Sequence, residues 1–562
     1  MQFKQTLVRL LSIFLSITGA AQTTYLPQGD KAAILAERWE IKAGNDSAFN
    51  FSKTKPFSRK YVVNAVNGYV NRVGQQALSK ADAYNLRSFY MNNLEYVPAE
   101  QRIQYQSKKP ILKNFYTSPA NLYEVYTKDF DLVVNPVFQY TVSKESDNDQ
   151  DLFLNTRGVS VRGRIANKIG FSAYMTDNQE RDPLYVQQFI SDRLAVPGAG
   201  FYKPFKSAGG VDYFDARGYI TFNVTKYIDV QFGYDKNFIG NGQRSLFLGD
   251  FSNNTLFLKL NTRIWKLNYQ NLFMELQSAH IPGGDQLVPK KYAAMHHLDM
   301  AITKWLNIGL FESIVFGRED HFEFGYLNPI IFYRSIEQQN GSFDNSLVGL
   351  DVKANFAKHF QVYSQLSLDE FVLSEVTDNT GWWGNKWGIQ IGAKYIDAFN
   401  IKNLDLQFEH NRVRPFTYSH GDSVANFTHY NQPLTHPLMA NFQEFIGVAR
   451  YQPIPRLLAV GKLIWYQQGR DSSAVNYGSN IFLPNKPPYR TSDYGFDIGS
   501  GWKTNVLYAS FLLSFELKQN MFLEFNAIVR RQETVTAPLT NSNSSIISLG
   551  FRWNMHRRDF EF

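Results

Sequence analysis

Side chains able to do chemistry are gathered in a few segments of this 562-residue chain, which contains no cysteine. Arg318-Glu319-Asp320-His321 combines a cation, two carboxylates and an imidazole, a set suited to metal binding or proton transfer. Its position at the edge of a long stretch with Phe322, Phe324 and Tyr326 is instead the pattern of a solvated charged patch. Two further segments stand out. One runs from Gly325-Tyr326-Leu327-Asn328-Pro329 through Tyr333, Arg334 and Glu337 to Asp344 and Asn345. The other runs from Arg414-Pro415-Phe416 through His420, His429, Tyr430, Asn431 and Gln432 to His436-Pro437. Trp382, Trp383 and Trp387 form a third aromatic group. No HExxH, phosphate-binding loop, GxSxG or dinucleotide fingerprint is present. The missing thiol excludes a disulfide scaffold, thiolate metal ligation and a cysteine nucleophile. Acidic pairs for glycoside hydrolysis remain open, because their separation is set in three dimensions.

The elements that must carry these residues follow from periodicity. From about residue 131 onward apolar and polar residues alternate with period two. Ile228, Val230, Phe232 and Tyr234 alternate with Asp229, Gln231, Gly233 and Asp235, and Val348, Leu350, Val352 and Ala354 oppose Gly349, Asp351 and Lys353. Eighteen such segments are predicted: 131–143, 156–166, 168–177, 216–224, 226–236, 254–263, 265–277, 291–304, 306–317, 346–358, 360–370, 387–398, 404–415, 442–452, 457–469, 506–519, 521–533 and 545–555. Their lengths suit tilted membrane strands. Short turns such as Ala166-Asn167, Lys358-His359 and Gln519-Asn520 alternate with long connections, the longest being 178–215, 237–253, 318–345, 416–441 and 470–505. That asymmetry and the even strand number are those of an outer-membrane barrel with both termini on the short-turn side. The competing pattern is a secreted multi-sheet protein such as a propeller, whose strands also alternate. The predicted fold is therefore all-β, a closed transmembrane antiparallel barrel over 126–562, ending in an amphipathic strand near a terminal Phe562.

Ahead of it, residues 1–21 carry Lys4 and Arg9, an apolar stretch from Leu10 to Ile17 and small residues before Gln22, the organisation of a secretory signal peptide. Residues 22–125 read as a small α-helical domain. Asp30 can cap a helix that stops at Gly44, a second helical pattern covers about 79–93, and 53–59 and 108–113 look like connections. Net charge falls from +8 to +6 when Lys4 and Arg9 leave with the leader, and basic residues are interspersed with acidic ones, so no nucleic-acid partner is implied.

A charge on the lipid face of a barrel is costly, which assigns Lys353, Lys394 and Arg552 to the interior. Arg162, Arg164, Lys259 and Arg263 line the same lumen as Asp229, Asp351, Asp405, Glu409, Glu516 and Glu524. Pairing of these groups with each other and with inward-folded loops is favoured over a freely conducting channel.

The two loop signatures, with Tyr25-Leu26-Pro27 and Arg38-Trp39-Glu40-Ile41-Lys42, resemble the Wzi-like capsule-assembly family over essentially the whole mature chain, and within it the RemB-like gliding-motility subgroup. The resemblance implies an eighteen-stranded outer-membrane barrel with a periplasmic helical domain. It further implies a lectin-like role in attaching exopolysaccharide, no enzymatic turnover, no cofactor and, for the subgroup, a link to surface motility. A glycan site needs flat aromatic faces and planar hydrogen-bonding groups. Trp382, Trp383 and Trp387 would supply the faces; Tyr333, Arg334, Glu337, Asp344, Asn345, His420, His429, Tyr430, Asn431 and Gln432 would supply the polar groups. For the three tryptophans an interfacial girdle or loop packing is the competing role, and for the histidine-rich loop it is structural hydrogen bonding in the barrel mouth. Expected partners are outer-membrane lipid, surface polysaccharide and other surface machinery. A porin and a scaffold for a secretion or motility machine are the alternatives.

Overall fold

The computed structural model describes residues 22–74, 76, 78–205, 209–278, 287–341, 344–472, 475–536 and 541–562; the expected leader, 1–21, lies outside them. Eighteen antiparallel strands close into a barrel. They are β1 (Phe130–Glu145), β2 (Leu152–Ile165), β3 (Ile169–Arg181), β4 (Gly210–Thr225), β5 (Ile228–Asp235) and β6 (Thr255–Ile264). Next come β7 (Leu267–Gln277), β8 (Lys290–Ala301), β9 (Leu306–Phe316), β10 (Asn345–Phe356), β11 (Phe360–Glu370) and β12 (Lys386–Tyr395). The last are β13 (Leu404–Val413), β14 (Phe442–Ile454), β15 (Leu457–Arg470), β16 (Trp502–Lys518), β17 (Met521–Thr534) and β18 (Ser542–Trp553). Closure is by β18 on β1, from Ile546 opposite Glu145 to Trp553 opposite Phe138. Each expected segment coincides with one strand. The largest extensions, at the starts of β2, β4 and β16 and the end of β3, lie at the long-loop end, where the wall leaves the apolar band and strict alternation is no longer enforced.

Closure satisfies every ladder without an edge, the requirement for a sheet in hydrocarbon. On the outside Leu350, Ile391 and Phe408 are exposed, while Asp351, Gln390 and Gln407 beside them point inward and are buried. Trp265 and Trp305 stand at the short-turn rim, as interfacial aromatics do. The tight turns at Ala166-Asn167 and Ala357-Lys358 hold positive φ at both central positions (51 and 54°, 53 and 59°), matching the twist of a two-residue hairpin.

The chain before the barrel carries three long helices, α1 (Lys31–Ala43), α2 (Arg59–Val73) and α3 (Lys80–Met91), followed by short helical turns over 94–105. Asp30 caps α1 by accepting from the Ala32 amide, and Gly44 ends it at φ 64°. Ser79 caps α3 in the same way. Helix α2 covers residues without a predicted element. Its β-branched Val62, Val63, Val66 and Val70 alternate with Asn64, Asn67 and Asn71, all weak helix formers, and tertiary burial of the valines overrides that propensity. Trp39, Val63, Val66, Leu86 and Phe89 make the core between the helices.

These helices sit in the short-turn mouth and are bound to the wall by ions. Lys353 of β10 meets Glu40 at 2.5 Å, Lys394 of β12 meets Glu37 at 2.7 Å, and Lys31 reaches Glu516 of β16 at 2.9 Å. Arg38 pairs with Asp397 and Asp405, and Lys42 bridges Asp82 and Asp397 at 2.9 Å each. Lys353, Lys394 and Arg552 thus face inward as predicted.

From the opposite end two loops descend into the barrel. In the β5–β6 loop, Phe238–Ile239 pairs with Thr54–Lys55 of the N-terminal segment. The β13–β14 loop follows it, with the Tyr418 hydroxyl donating to the Leu246 carbonyl at 2.9 Å. Leu246, Phe247, Tyr418, Phe427, Leu434 and Leu438 from these loops pack on inward Leu272, Met274, Met295 and Phe311. The largest apolar core therefore lies inside the barrel.

The C-terminal tail fills part of what remains. Past Trp553 the chain turns back through the lumen, where each of its charges finds an opposite charge. Arg557 pairs with Glu524 at 2.7 Å, Arg558 with Glu180 at 2.8 Å, and Glu561 with Lys462. Phe562 ends among Phe189, Phe251 and Tyr185 beneath the long loops. The terminal phenylalanine is thus a lumen anchor and not the last residue of a strand.

Candidate functional site

The long-loop face is knit into one surface by three connections, 371–385, 414–441 and 471–501. The Trp383 amide donates to Asp493 O at 3.0 Å, Gly495 N to Thr380 O at 3.1 Å and Phe496 N to Gly381 O at 2.9 Å. Arg414 ties the three together, donating to the carbonyls of Asn385, Trp382 and Phe496 at 2.8, 3.3 and 2.9 Å. Asp471 organises the last loop by accepting the amides of Tyr477, Ser479 and Asn480. Burial raises its pKa, opposed by those three donors.

Upon this base stand Trp382 and Trp383, half-buried, with Tyr489 and Tyr494 largely exposed. The Arg490 guanidinium lies 4.2 Å and the Lys386 ammonium 5.1 Å from the centre of the Trp383 ring. His420 flanks the same surface; its carbonyl accepts from Asn485 N at 3.3 Å. Burial, then the nearby Lys386 charge, lowers the His420 pKa, so its ring is neutral at pH 7. The arrangement offers aromatic edges, guanidinium and carboxylate groups and a neutral imidazole on a fixed backbone.

The thirteen residues singled out from the sequence do not converge. Trp382, Trp383 and His420 meet on this face. Trp387 points outward from β12 with the Arg412 guanidinium 6.0 Å from its ring, the geometry of an interfacial girdle. His429, Tyr430, Asn431 and Gln432 form a turn that dips toward β6 and β7. His429 accepts from Gln277 N at 3.0 Å and donates to Asn254 O at 3.0 Å, and burial holds its pKa down to about 4. Gln432 accepts from Gly198 N at 2.8 Å. This is the structural hydrogen bonding set out as the competing role. Asp344 is held by Arg318 at 2.7 Å and by the Tyr326 hydroxyl at 2.6 Å, and Asn345 donates to Tyr418 O at 3.4 Å. Tyr333 and Glu337 are buried against the outer wall, with Arg334 beside them. Their loop folds away from the mouth, so these three do not join Trp382, Trp383 and His420.

Tyr489, Arg490 and Tyr494 were not singled out, although their clustering behind Pro487-Pro488 in a long loop was a readable signal. Among the described residues no three His, Asp or Glu side chains are grouped to hold a metal. Arg318 of the charged tetrad is absorbed by Asp344, and Asp320 accepts from Lys290 N at 2.7 Å.

No family model and no curated protein matches this chain. Solved structures do. Wzi of Escherichia coli, described as an outer-membrane protein involved in group 1 capsule assembly and a carbohydrate-binding β-barrel, aligns over 94% of this chain and 99% of its own, at 12% identity and TM-score 0.56. OprD of Pseudomonas aeruginosa aligns over 75% of this chain and 94% of its own, at 10% identity and TM-score 0.42. The fold is that of Wzi, an outer-membrane β-barrel.

Proposed function

We propose that this chain is a non-enzymatic outer-membrane barrel that binds surface polysaccharide on its long-loop face, with the N-terminal helices in the periplasm and residues 1–21 as the export leader. One observation carries the reading. The lumen is occupied from both ends, by α1–α3 below, two loops above and the C-terminal tail between, while the outer loops are fixed by mutual hydrogen bonds into a surface bearing aromatic and charged groups. A barrel built to pass solutes needs the opposite arrangement. The carbohydrate binding described for Wzi, whose fold this chain shares, supports the same conclusion.

The finer resemblance, to the gliding-motility subgroup, adds a proposed role in presenting or anchoring adhesive polymer during surface movement, supported by the loop signatures alone. The porin alternative rests on a residual lumen chamber of about 710 Å3 lined by Arg450, Lys462, Asp405 and Glu516.

The test is retention of purified cell-surface polysaccharide by the detergent-solubilised barrel. Replacing Trp382, Trp383, Tyr489 and Tyr494 with alanine is expected to lower retention strongly, and Tyr333→Phe to leave it unchanged. Undiminished retention in the fourfold variant refutes the assignment of this face. Large steady conductance in planar bilayers would favour the porin.

A further inference from the structure

The connection between β9 and β10 does not stand above the barrel. It folds down over the outside of the wall. Strand register fixes which side this is. Leu272, Met274, Met295 and Phe311 point into the lumen and pack on the inward-folded loops, so their neighbours Asn271, Phe273, Tyr292, Ala294, His296, Glu312, Ile314 and Phe316 point outward. The strap packs on this outward set: Tyr326 and Tyr333 are fully buried against Phe273, Tyr292, Ala294, Ile314 and Phe316.

Beneath it lies a polar rung. Asn271 of β7 is paired with His296 of β8, and His296 with Glu312 of β9, three polar side chains side by side on the outward face. Two of them engage the strap directly. Glu312 accepts the Tyr333 amide at 2.6 Å and the Arg334 amide at 3.3 Å. It thereby caps helix α4 (Tyr333–Asn340), whose own cap residue, Phe332, has no side-chain hydrogen bond. The Tyr333 ring lies 4.0 Å from the His296 ring. Lower down, the Tyr269 hydroxyl donates to the Pro329 carbonyl at 2.6 Å, two residues from the start of β7. The strap therefore reaches most of the way to the short-turn rim. Irregular backbone is tolerated at membrane depth only where protein satisfies its polar groups, and the wall supplies those groups here.

The strap's free surface changes character with depth. Its lowest part, next to Pro329, shows Ile330 at 85% exposure, Ile331 at 37% and Phe332 at 55%. Helix α4, which climbs back to the long-loop end, shows Arg334, Ser335, Gln338 and Gln339. Apolar at depth and polar toward the rim is the profile of one bilayer leaflet.

We propose that residues 322–340 are a membrane-immersed strap whose Ile330, Ile331 and Phe332 contact lipid acyl chains, while helix α4 lies at the headgroup level and the wall's Asn271–His296–Glu312 rung is sealed from hydrocarbon beneath it. The proposal rests on the barrel's being membrane-inserted, and its test separates the two.

Because the chain has no cysteine, single-cysteine variants carry one nitroxide label each: Ile330→Cys and Phe332→Cys on the strap, Leu350→Cys on the bare outer wall and Tyr489→Cys on the long-loop face. In phosphatidylcholine proteoliposomes, collision with oxygen is compared with collision with a water-soluble nickel chelate, after heat-modifiable gel mobility has confirmed each barrel. Ile330 and Phe332 are expected to match Leu350, with an oxygen-to-nickel ratio severalfold above that of Tyr489. A Tyr489-like ratio at Ile330 and Phe332, with Leu350 still lipid-like, overturns the strap. A water-like ratio at Leu350 overturns the membrane barrel itself.

Discussion

Glu40→Gln is expected to loosen the helical assembly from the barrel mouth. The Lys353 ammonium and the Glu40 carboxylate are almost wholly withdrawn from solvent, at 0% and 2% side-chain exposure. Lys353 also donates to the Asn50 carbonyl at 2.6 Å and the Ser52 hydroxyl at 2.9 Å, and Asn355 donates to Glu40 at 3.1 Å. With the carboxylate neutralised the ammonium keeps two neutral acceptors and loses its counter-charge, a defect that costs about 3–5 kcal/mol when a buried pair is broken from one side. At about tenfold per 1.4 kcal/mol, the population of separated helices rises roughly 10²- to 4 × 10³-fold. A cysteine at Ser88 reads that population. Ser88 is 3% exposed and its hydroxyl accepts from Gln519 in the β16–β17 turn at 2.6 Å, so a water-soluble maleimide reaches it only when α3 leaves the wall. Labelling of Ser88→Cys should accelerate by that factor in Glu40→Gln and return to within about tenfold of the parent in Glu40→Gln/Lys353→Met, since a buried pair replaced by neutral groups is close to break-even. A rate unchanged by Glu40→Gln, or a double variant no slower than the single, would refute the claim that this pair holds the helices in place.

Acid should release the same assembly. Burial alone would raise the Glu37 pKa, yet Lys394 and Lys55 bring it down from 4.5 to about 2, and Arg38 and Lys42 do the same for Asp397, from 3.8 to about 2. Carboxylates with depressed values stabilise docking above their ordinary pKa and lose that contribution as pH falls toward 2, so Ser88→Cys labelling, followed with a pH-tolerant thiol reagent, should rise below about pH 4 and stay flat between 5 and 8. Glu312→Ala leaves the Tyr333 and Arg334 amides without an acceptor, a loss of about 1–3 kcal/mol, and should open tryptic cleavage at Arg334 while the barrel keeps its folded gel mobility. A hexahistidine extension after Phe562 should depress barrel assembly more than an insertion in the 146–151 loop, because Arg530 donates to the Phe562 carbonyl at 3.0 Å inside the lumen; equal yields would argue that the tail inserts only after folding.

The barrel was legible because one physical constraint acts on every strand. Hydrocarbon outside and polar groups inside impose period two on each segment, so β10 and β13 declare themselves residue by residue. Lumen charges were legible as inward for the same reason, and their pairing was a sound expectation, but the partners of Lys353, Lys394 and Glu516 come from a helix several hundred residues away that no local pattern names. Loops carry no such constraint. Tyr333-Arg334-Glu337 and His429-Tyr430-Asn431-Gln432 have compositions suited equally to a glycan site and to packing. One group folds outward onto the wall and the other inward into the mouth. The first finds Glu312 as acceptor for its backbone amides, and in the second the His429 ring accepts from Gln277 and donates to Asn254.

The outer wall nevertheless held a signal that alternation alone does not use. Asn271, His296 and Glu312 occupy the outward register of three consecutive strands, and antiparallel pairing places them in one row. A single polar residue on the lipid face can be a local irregularity. A row of three in neighbouring strands leaves two arrangements, exposure of the row to hydrocarbon at a cost that grows with each group or a protein cover that hydrogen-bonds to it. The segment of suitable length adjoining these strands is the one that follows β9, and it contains both the apolar residues for the outer side and the aromatic ones for the inner side. Outward polar residues compared across strands, and not only along them, thus mark a stretch of wall that a neighbouring connection can cover, as the segment holding Tyr333 and Glu337 does here.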